Sequence, residues 1–139
     1  MTSHPTAYRV LDRVGPSQLD AMRTARAAAR AKVWVAGGGP DLVDEQGDRQ
    51  GLVLDVDASL LTAHSEKEGA PPTHKRGFGF LPLMVFLDRP NVSGGKALAA
   101  FLRPGNAGSN TAADHLTILD LALAQLPEHA RPTPGVVLA

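Results

Sequence analysis

Apolar and polar positions alternate through Gly51-Leu-Val-Leu-Asp-Val-Asp-Ala-Ser-Leu60, and the pattern predicts a strand around which the rest of the chain is arranged. Pleating puts Leu52, Leu54 and Val56 on one face and Val53, Asp55, Asp57 and Ser59 on the other. Phe78 to Leu87 and Ala97 to Leu102 predict a second and third strand, joined by the turn-rich Asp88 to Gly95. Leu61 to Arg76, polar and carrying Pro71-Pro72, reads as a loop. Ser17 to Ala36 is rich in alanine, has no internal Gly or Pro and follows Pro16, so it predicts a helix; residues 5–14 predict a shorter one before it. Gly37-Gly-Gly-Pro40 ends the long helix. Towards the C-terminus Leu116, Leu119, Leu123 and Leu126 repeat at helical spacing, with Ser109, Asn110 or Thr111 as caps and Asp114 at the helix start. Gly135 to Ala139 begins a further strand.

The expected fold class is therefore α/β: three antiparallel strands, a helix and the start of a fourth strand, preceded by a helical arm. Residues 1–40 are expected to form that basic arm and residues 41–139 the strand-bearing domain. A chain of 139 residues, 43% of them hydrophobic, is long enough for one domain with a core. The formal net charge is zero, but the charge is unevenly spread. Residues 1–36 carry six basic side chains against two acidic, whereas residues 41–57 carry six acidic against Arg49. Without cysteine there are no disulfides or thiolate metal sites. The first residues show no charged start followed by an apolar core, and the longest apolar run is half a bilayer span, so a cytoplasmic protein with no membrane partner is expected.

Asp55 and Asp57 are the first candidate chemistry. Two carboxylates on one strand face repel each other unless a cation, a basic partner or water relieves them. Mg²⁺ or Mn²⁺ prefers such oxygen ligands and keeps positions open for phosphate and water; the alternatives are a solvated strand end or pairing with Lys67, Lys75 or Arg76. On the long helix Arg23, Arg26 and Arg30 share a face, either as a phosphate-contacting row or as a solvated surface. Lys67, Lys75, Arg76 and Arg103 flank the loops and could meet DNA phosphates or pair with Glu66, Glu68 or Asp57. The five histidines lack zinc spacing, and neither glycine cluster has the form of a phosphate loop.

In this order of elements, five segments resemble the DDE transposases of bacterial insertion sequences. They are Ala25-Arg-Ala-Ala-Ala-Arg30 with Trp34, Leu54-Asp-Val-Asp-Ala-Ser59, Thr62-Ala-His-Ser-Glu-Lys67, Lys75-Arg-Gly-Phe-Gly-Phe80 and Leu102-Arg-Pro-Gly-Asn-Ala-Gly-Ser-Asn-Thr111. The resemblance implies a partial ribonuclease-H-like fold. It also implies that Asp57, in Asp57-Ala58-Ser59, is the first of three metal-binding catalytic carboxylates, with Asp55 beside it. In the intact enzyme two Mg²⁺ or Mn²⁺ ions would serve the cutting and joining of DNA at transposon ends and target.

The family's second Asp is expected at the end of the fourth strand and its Glu on a later helix, and no Asp or Glu follows Glu128. The chain is therefore expected to be a truncated transposase piece, inactive alone, with an uncovered sheet edge that favours self-association or a complementing transposase chain. The alternative is a non-catalytic DNA-binding or regulatory fragment, or the product of a decayed gene.

Overall fold

The chain's helical arm is broken at Gly15, where a proline follows and the helix restarts. The computed structural model describes residues 4–48, 51–63, 72–73, 77–89, 95–108 and 111–131. Helix α1 (His4–Asp12) precedes helix α2 (Pro16–Val33). Gly15 caps α2 and donates its N–H to Gln18 Oε1 at 3.1 Å, while Pro16 takes the first turn, where its missing N–H costs nothing. A π-helical turn over Trp34–Gly38 ends the helix, and Arg89 donates to the carbonyls of Gly38 and Gly39 at 2.9 and 3.2 Å. That guanidinium satisfies carbonyls at the negative end of the helix dipole.

Strands β1 (Leu54–Ala58), β4 (Leu83–Leu87) and β5 (Lys96–Phe101) form an antiparallel sheet in the order β1-β4-β5; β2 (Leu61–Ala63) and β3 (Phe78–Phe80) form a second antiparallel pair. The run from Phe78 to Leu87, expected as one strand, is two, because Pro82 has no N–H to give the ladder. At the break the Leu81 N–H donates to the Arg103 carbonyl at 2.9 Å and the Ser59 N–H to the Pro82 carbonyl at 3.3 Å. Leu61 to Ala63, expected in a loop, pairs instead with β3 in the register Leu61–Phe80, Thr62–Gly79 and Ala63–Phe78. A bridge between Phe80 and Pro104 brings the turn after β5 onto this pair. Gly105 lies so close to the Gly79 carbonyl and the Thr73 side chain that a Cβ would collide with both. Gly79 is held in the same way by its own partner strand, since a Cβ there would collide with the Leu61 carbonyl.

Helix α3 (Ala112–Leu123) packs on β4 and β5. Its buried positions are Ile118 and Ala122, with Leu126 just beyond, whereas Leu116, placed by its spacing on the apolar stripe, is 65% exposed. The phase is set at the first turn, where Asp114 accepts a bond from the buried Arg103 at 3.3 Å and so turns the residue four positions on, Ile118, towards the sheet. Leu83, Val85 and Leu87 from the central strand, Leu98 from β5 and Trp34 from the π turn complete the core. Leu98 is the extra residue of a bulge: Ala97 pairs with Phe86 and Ala99 with Val85, which lets β5 turn this side chain inward.

Trp34, just beyond α2, joins the core of the sheet, and Arg30 in the last turn of α2 is buried. The three-stranded antiparallel sheet followed by a packed helix is compatible with the opening part of a ribonuclease-H-like fold. The expected fourth strand, Gly135 to Ala139, lies outside the described residues. Among the described residues no helix is long and apolar enough to cross a membrane.

Candidate active-site face

β1 is an edge strand among the described residues, and its alternation holds only in part, since Val56, expected on the inner face with Leu52 and Leu54, is 38% exposed. Leu52 and Leu54 pack against the core, whereas Val53, Asp55 and Asp57 are exposed. Solvent therefore takes up the cost of the two carboxylates, and no buried counter-charge is needed. Asp57 lies opposite Met84 and Asp55 opposite Phe86, so the carboxylates share a face with the partly buried side chains of the central strand. Two residues along the same strand face, the two Cα atoms are about 6.7 Å apart.

Among the described residues Asp57 has one hydrogen-bond partner. The Ser59 hydroxyl donates to its Oδ2 at 3.0 Å. This bond limits the carboxylate's rotamers and leaves Oδ1 without a protein donor among the described residues. Ser59 is itself fixed by its backbone bond to Pro82 at the break between β3 and β4. The geometry thus presents one oriented carboxylate oxygen at the solvent-facing end of β1.

The donor chemistry of this face suits a hard divalent cation, because carboxylate oxygens are the ligands Mg²⁺ and Mn²⁺ take. The number of donors is short of a complete site: among the described residues no group of three His, Cys, Asp or Glu side chains stands close enough to hold an ion. Asp57 would be one ligand and Asp55 a neighbouring charge. In the acidic loop upstream, Asp44 is otherwise engaged, since its Oδ1 accepts the N–H groups of Gln46 and Asp48 at 3.0 and 2.8 Å.

The basic residues separate into three groups. Arg30, 5% exposed, donates through Nη1 to the carbonyl and Oε1 of Gln125 at 2.9 and 3.2 Å, and through Nη2 to the carbonyl of Ala97 at 3.4 Å. Burial, and after it the neighbouring charge of Arg26, lowers its pKa, yet an arginine stays charged at any ordinary pH. Arg103, 2% exposed, donates through Nε to the Leu81 carbonyl and through Nη1 to the Gly108 carbonyl and Asp114. Neither guanidinium can reach a phosphate in this arrangement; both act inside the fold. The reason is the same for each, because helix ends and strand breaks leave carbonyls open and a guanidinium has five donors to fill them.

Arg23 and Arg26 lie at the surface. Arg23 pairs with Asp20 at 2.8 Å, and Arg26 donates to the Ala97 carbonyl at 3.1 Å while remaining exposed. The helix face expected from spacing therefore exists, but it meets β5 and the end of α3 at its C-terminal half. Lys67, Lys75 and Arg76 lie outside the described residues. Arg9, Arg13 and Lys32 are exposed and make no ion pair among the described residues.

Gln125 is the residue that sequence reasoning passed over. It is 3% exposed, accepts from Arg30, and donates through Nε2 to the Arg23 carbonyl at 3.1 Å, so it joins the two helices. A polar residue among leucines just before Pro127 was the available signal. Arg89 was likewise read only as part of a turn.

A family model described as "Transposase DDE domain group 1" matches residues 1–136 of the chain. No curated protein and no solved structure matches it.

Proposed function

The chain belongs to the DDE transposase domain family, and from that premise we propose that it acts on DNA in transposition, with Asp57 as one of the carboxylates that hold the divalent ions. A single observation carries the assignment of Asp57. Within a chain matched over residues 1–136, it is the strand carboxylate held at one oxygen by Ser59 and open at the other. Bound divalent ions in such a site supply activation of the attacking oxygen and stabilisation of the leaving one at phosphorus. The chain's own contribution is more limited. Ser59 orients Asp57, Pro82 and Arg103 fix the strand break that holds Ser59, and the exposed cations attract the DNA backbone.

Of the cations expected to meet DNA, we assign the contact to Arg26 and, secondarily, Arg23, together with Lys67, Lys75 and Arg76. Arg30 and Arg103 serve the fold. Since the described residues hold one oriented carboxylate and no group of three ligands, the reading is that the chain binds DNA without cutting it unaided, which is the regulatory alternative in its simplest form.

The test measures binding and nicking of a plasmid carrying the element ends, with Mg²⁺ or Mn²⁺, for the chain and for Asp57→Asn. Both are expected to bind with an affinity that falls as salt rises, and neither to nick. Nicking by the unaltered chain that Asp57→Asn abolishes would keep the assignment of Asp57 and overturn the inactivity. Absence of salt-dependent DNA binding would overturn the proposal.

A further inference from the structure

Arg103 stands two residues past β5, and its backbone continues the pairing of β5 with β4 beyond the last ladder pair. Leu83 lies opposite Phe101; two positions on, the Leu81 N–H donates to the Arg103 carbonyl at 2.9 Å, and Phe80 and Pro104 are bridged after that. The side chain then turns back on the same partner, and its Nε donates to the Leu81 carbonyl at 3.1 Å. Both peptide planes that flank Leu81 are therefore held by one residue. The ring of Pro82 fixes the next torsion, φ, at about −65°. That leaves ψ of Pro82 as the one soft torsion before its carbonyl, which accepts the Ser59 N–H at 3.3 Å. Ser59 lies one residue beyond the last pair of β1 with β4, Ala58 with Leu83, so its backbone is held by this bond and not by the ladder. Its hydroxyl in turn holds Asp57 Oδ2 at 3.0 Å.

The far end of the same guanidinium reaches α3. Nη1 donates to the Gly108 carbonyl at 3.0 Å and to Asp114 Oδ2 at 3.3 Å, in the first turn of the helix, whereas Nη2 is buried without an acceptor among the described residues. A guanidinium is a costly way to fill buried space, because apolar side chains of similar volume fill it as well or better. What an apolar side chain cannot supply is the set of directed bonds that joins Leu81 to the start of α3.

We propose that Arg103 is a positioning residue for Asp57, which ties the direction of that carboxylate to the first turn of α3 through Leu81, Pro82 and Ser59. A contact that moves the start of α3 then reorients the carboxylate without touching it. The meaning of this coupling for transposition rests on Asp57 as a metal-binding carboxylate, whereas the coupling itself does not.

The experiment follows the side-chain carboxyl carbon of Asp57 by NMR in the metal-free full chain. Arg103→Lys, which keeps the charge but cannot span all the acceptors, is expected to move this signal, and to add nothing in a Ser59→Ala background, where the last link is already gone. Asp114→Ala should move it in the same direction by less, and carries the same test should Arg103→Lys fail to fold. Ile118→Val, a destabilising core change in the same helix that leaves these bonds in place, should not move it, which separates positioning from loss of stability. Urea unfolding of each variant establishes that it is folded under the conditions used. In a parallel Mn²⁺ titration the dissociation constant of Arg103→Lys should rise about threefold or more, short of the effect of about tenfold or greater that loss of a direct partner such as Ser59 has. An Asp57 signal that stays in place in Arg103→Lys, that Ile118→Val moves equally, or that responds to Arg103→Lys as fully in the Ser59→Ala background would overturn the proposal. Mn²⁺ that fails to bind at Asp57 while the metal-free signals behave as expected would overturn the metal assignment and support the positioning.

Discussion

Replacing Arg103 with alanine is expected to destabilise the chain by about 3–5 kcal/mol, the scale on which removing one partner of a buried ion pair acts. The side chain is 2% exposed and serves two backbone carbonyls and one carboxylate. Its Nε meets the Leu81 carbonyl at 3.1 Å, its Nη1 meets the Gly108 carbonyl at 3.0 Å, and the same nitrogen meets Asp114 at 3.3 Å. Loss of the guanidinium strands two inward carbonyls and a carboxylate that is only 27% exposed, and it opens a cavity the length of an arginine. The check is a urea unfolding curve, in which the midpoint should fall steeply. Arg103→Lys should recover only part of the loss, because one ammonium cannot span all three acceptors. A shift below about 1 kcal/mol would mean that water replaces the guanidinium, and that the phase of α3 has another origin.

The second large effect is expected at Arg30. Arg30→Ala should cost about 2–3 kcal/mol, because a charge-assisted bond to a carbonyl contributes about 1.5–3 kcal/mol and its removal leaves acceptors of Gln125 and Ala97 unfilled. This is also a test of role. A phosphate-contacting arginine contributes about one unit to the salt dependence of DNA affinity and little to stability. Arg30→Ala is expected to do the opposite, lowering the unfolding midpoint while leaving the salt slope of DNA binding unchanged. Arg26→Ala, whose side chain is exposed, should reduce the slope with a smaller effect on unfolding.

Arg30 and Arg103 show where sequence reasoning stopped. Spacing put Arg23, Arg26 and Arg30 on one helix face, and they are on one face. What spacing did not contain was the object that face meets, since Ala97 and Gln125 lie 67 and 95 positions away from Arg30. Arg103 looked like a loop cation because it follows a strand and precedes a Pro-Gly turn. The carbonyls it fills belong to a strand break, and that break depends on where Pro82 falls in a pairing no local pattern reveals. The strands β1, β4 and β5 and the helices α2 and α3 were legible because their apolar periods are long and their ends carry Pro, Gly or capping residues. β2 was not, because three residues next to a polar segment become a strand only through their partner β3. The buried side of α3 was not legible for a related reason. Leucine at every third or fourth place marks a helix, but Asp114 and Arg103 decide which side of it faces inward. At the candidate site Asp55 and Asp57 are exposed, as the alternation put them, but Val56 between them is exposed as well and the inner face ends at Leu54. The solvation of the two carboxylates, one of the readings left open, follows from β1 lying at a sheet edge among the described residues.

The most direct measurement is a titration of Mn²⁺ into the isotopically labelled chain, followed by paramagnetic broadening of its amide signals. The expected result is broadening centred on Val56 to Ser59 that disappears in Asp57→Asn and weakens in Ser59→Ala, whose carboxylate is no longer held at Oδ2. Broadening that leaves these amides sharp, or that is centred on the Asp44 to Asp48 loop and survives Asp57→Asn, would contradict Asp57 as the metal-binding carboxylate of this transposase domain.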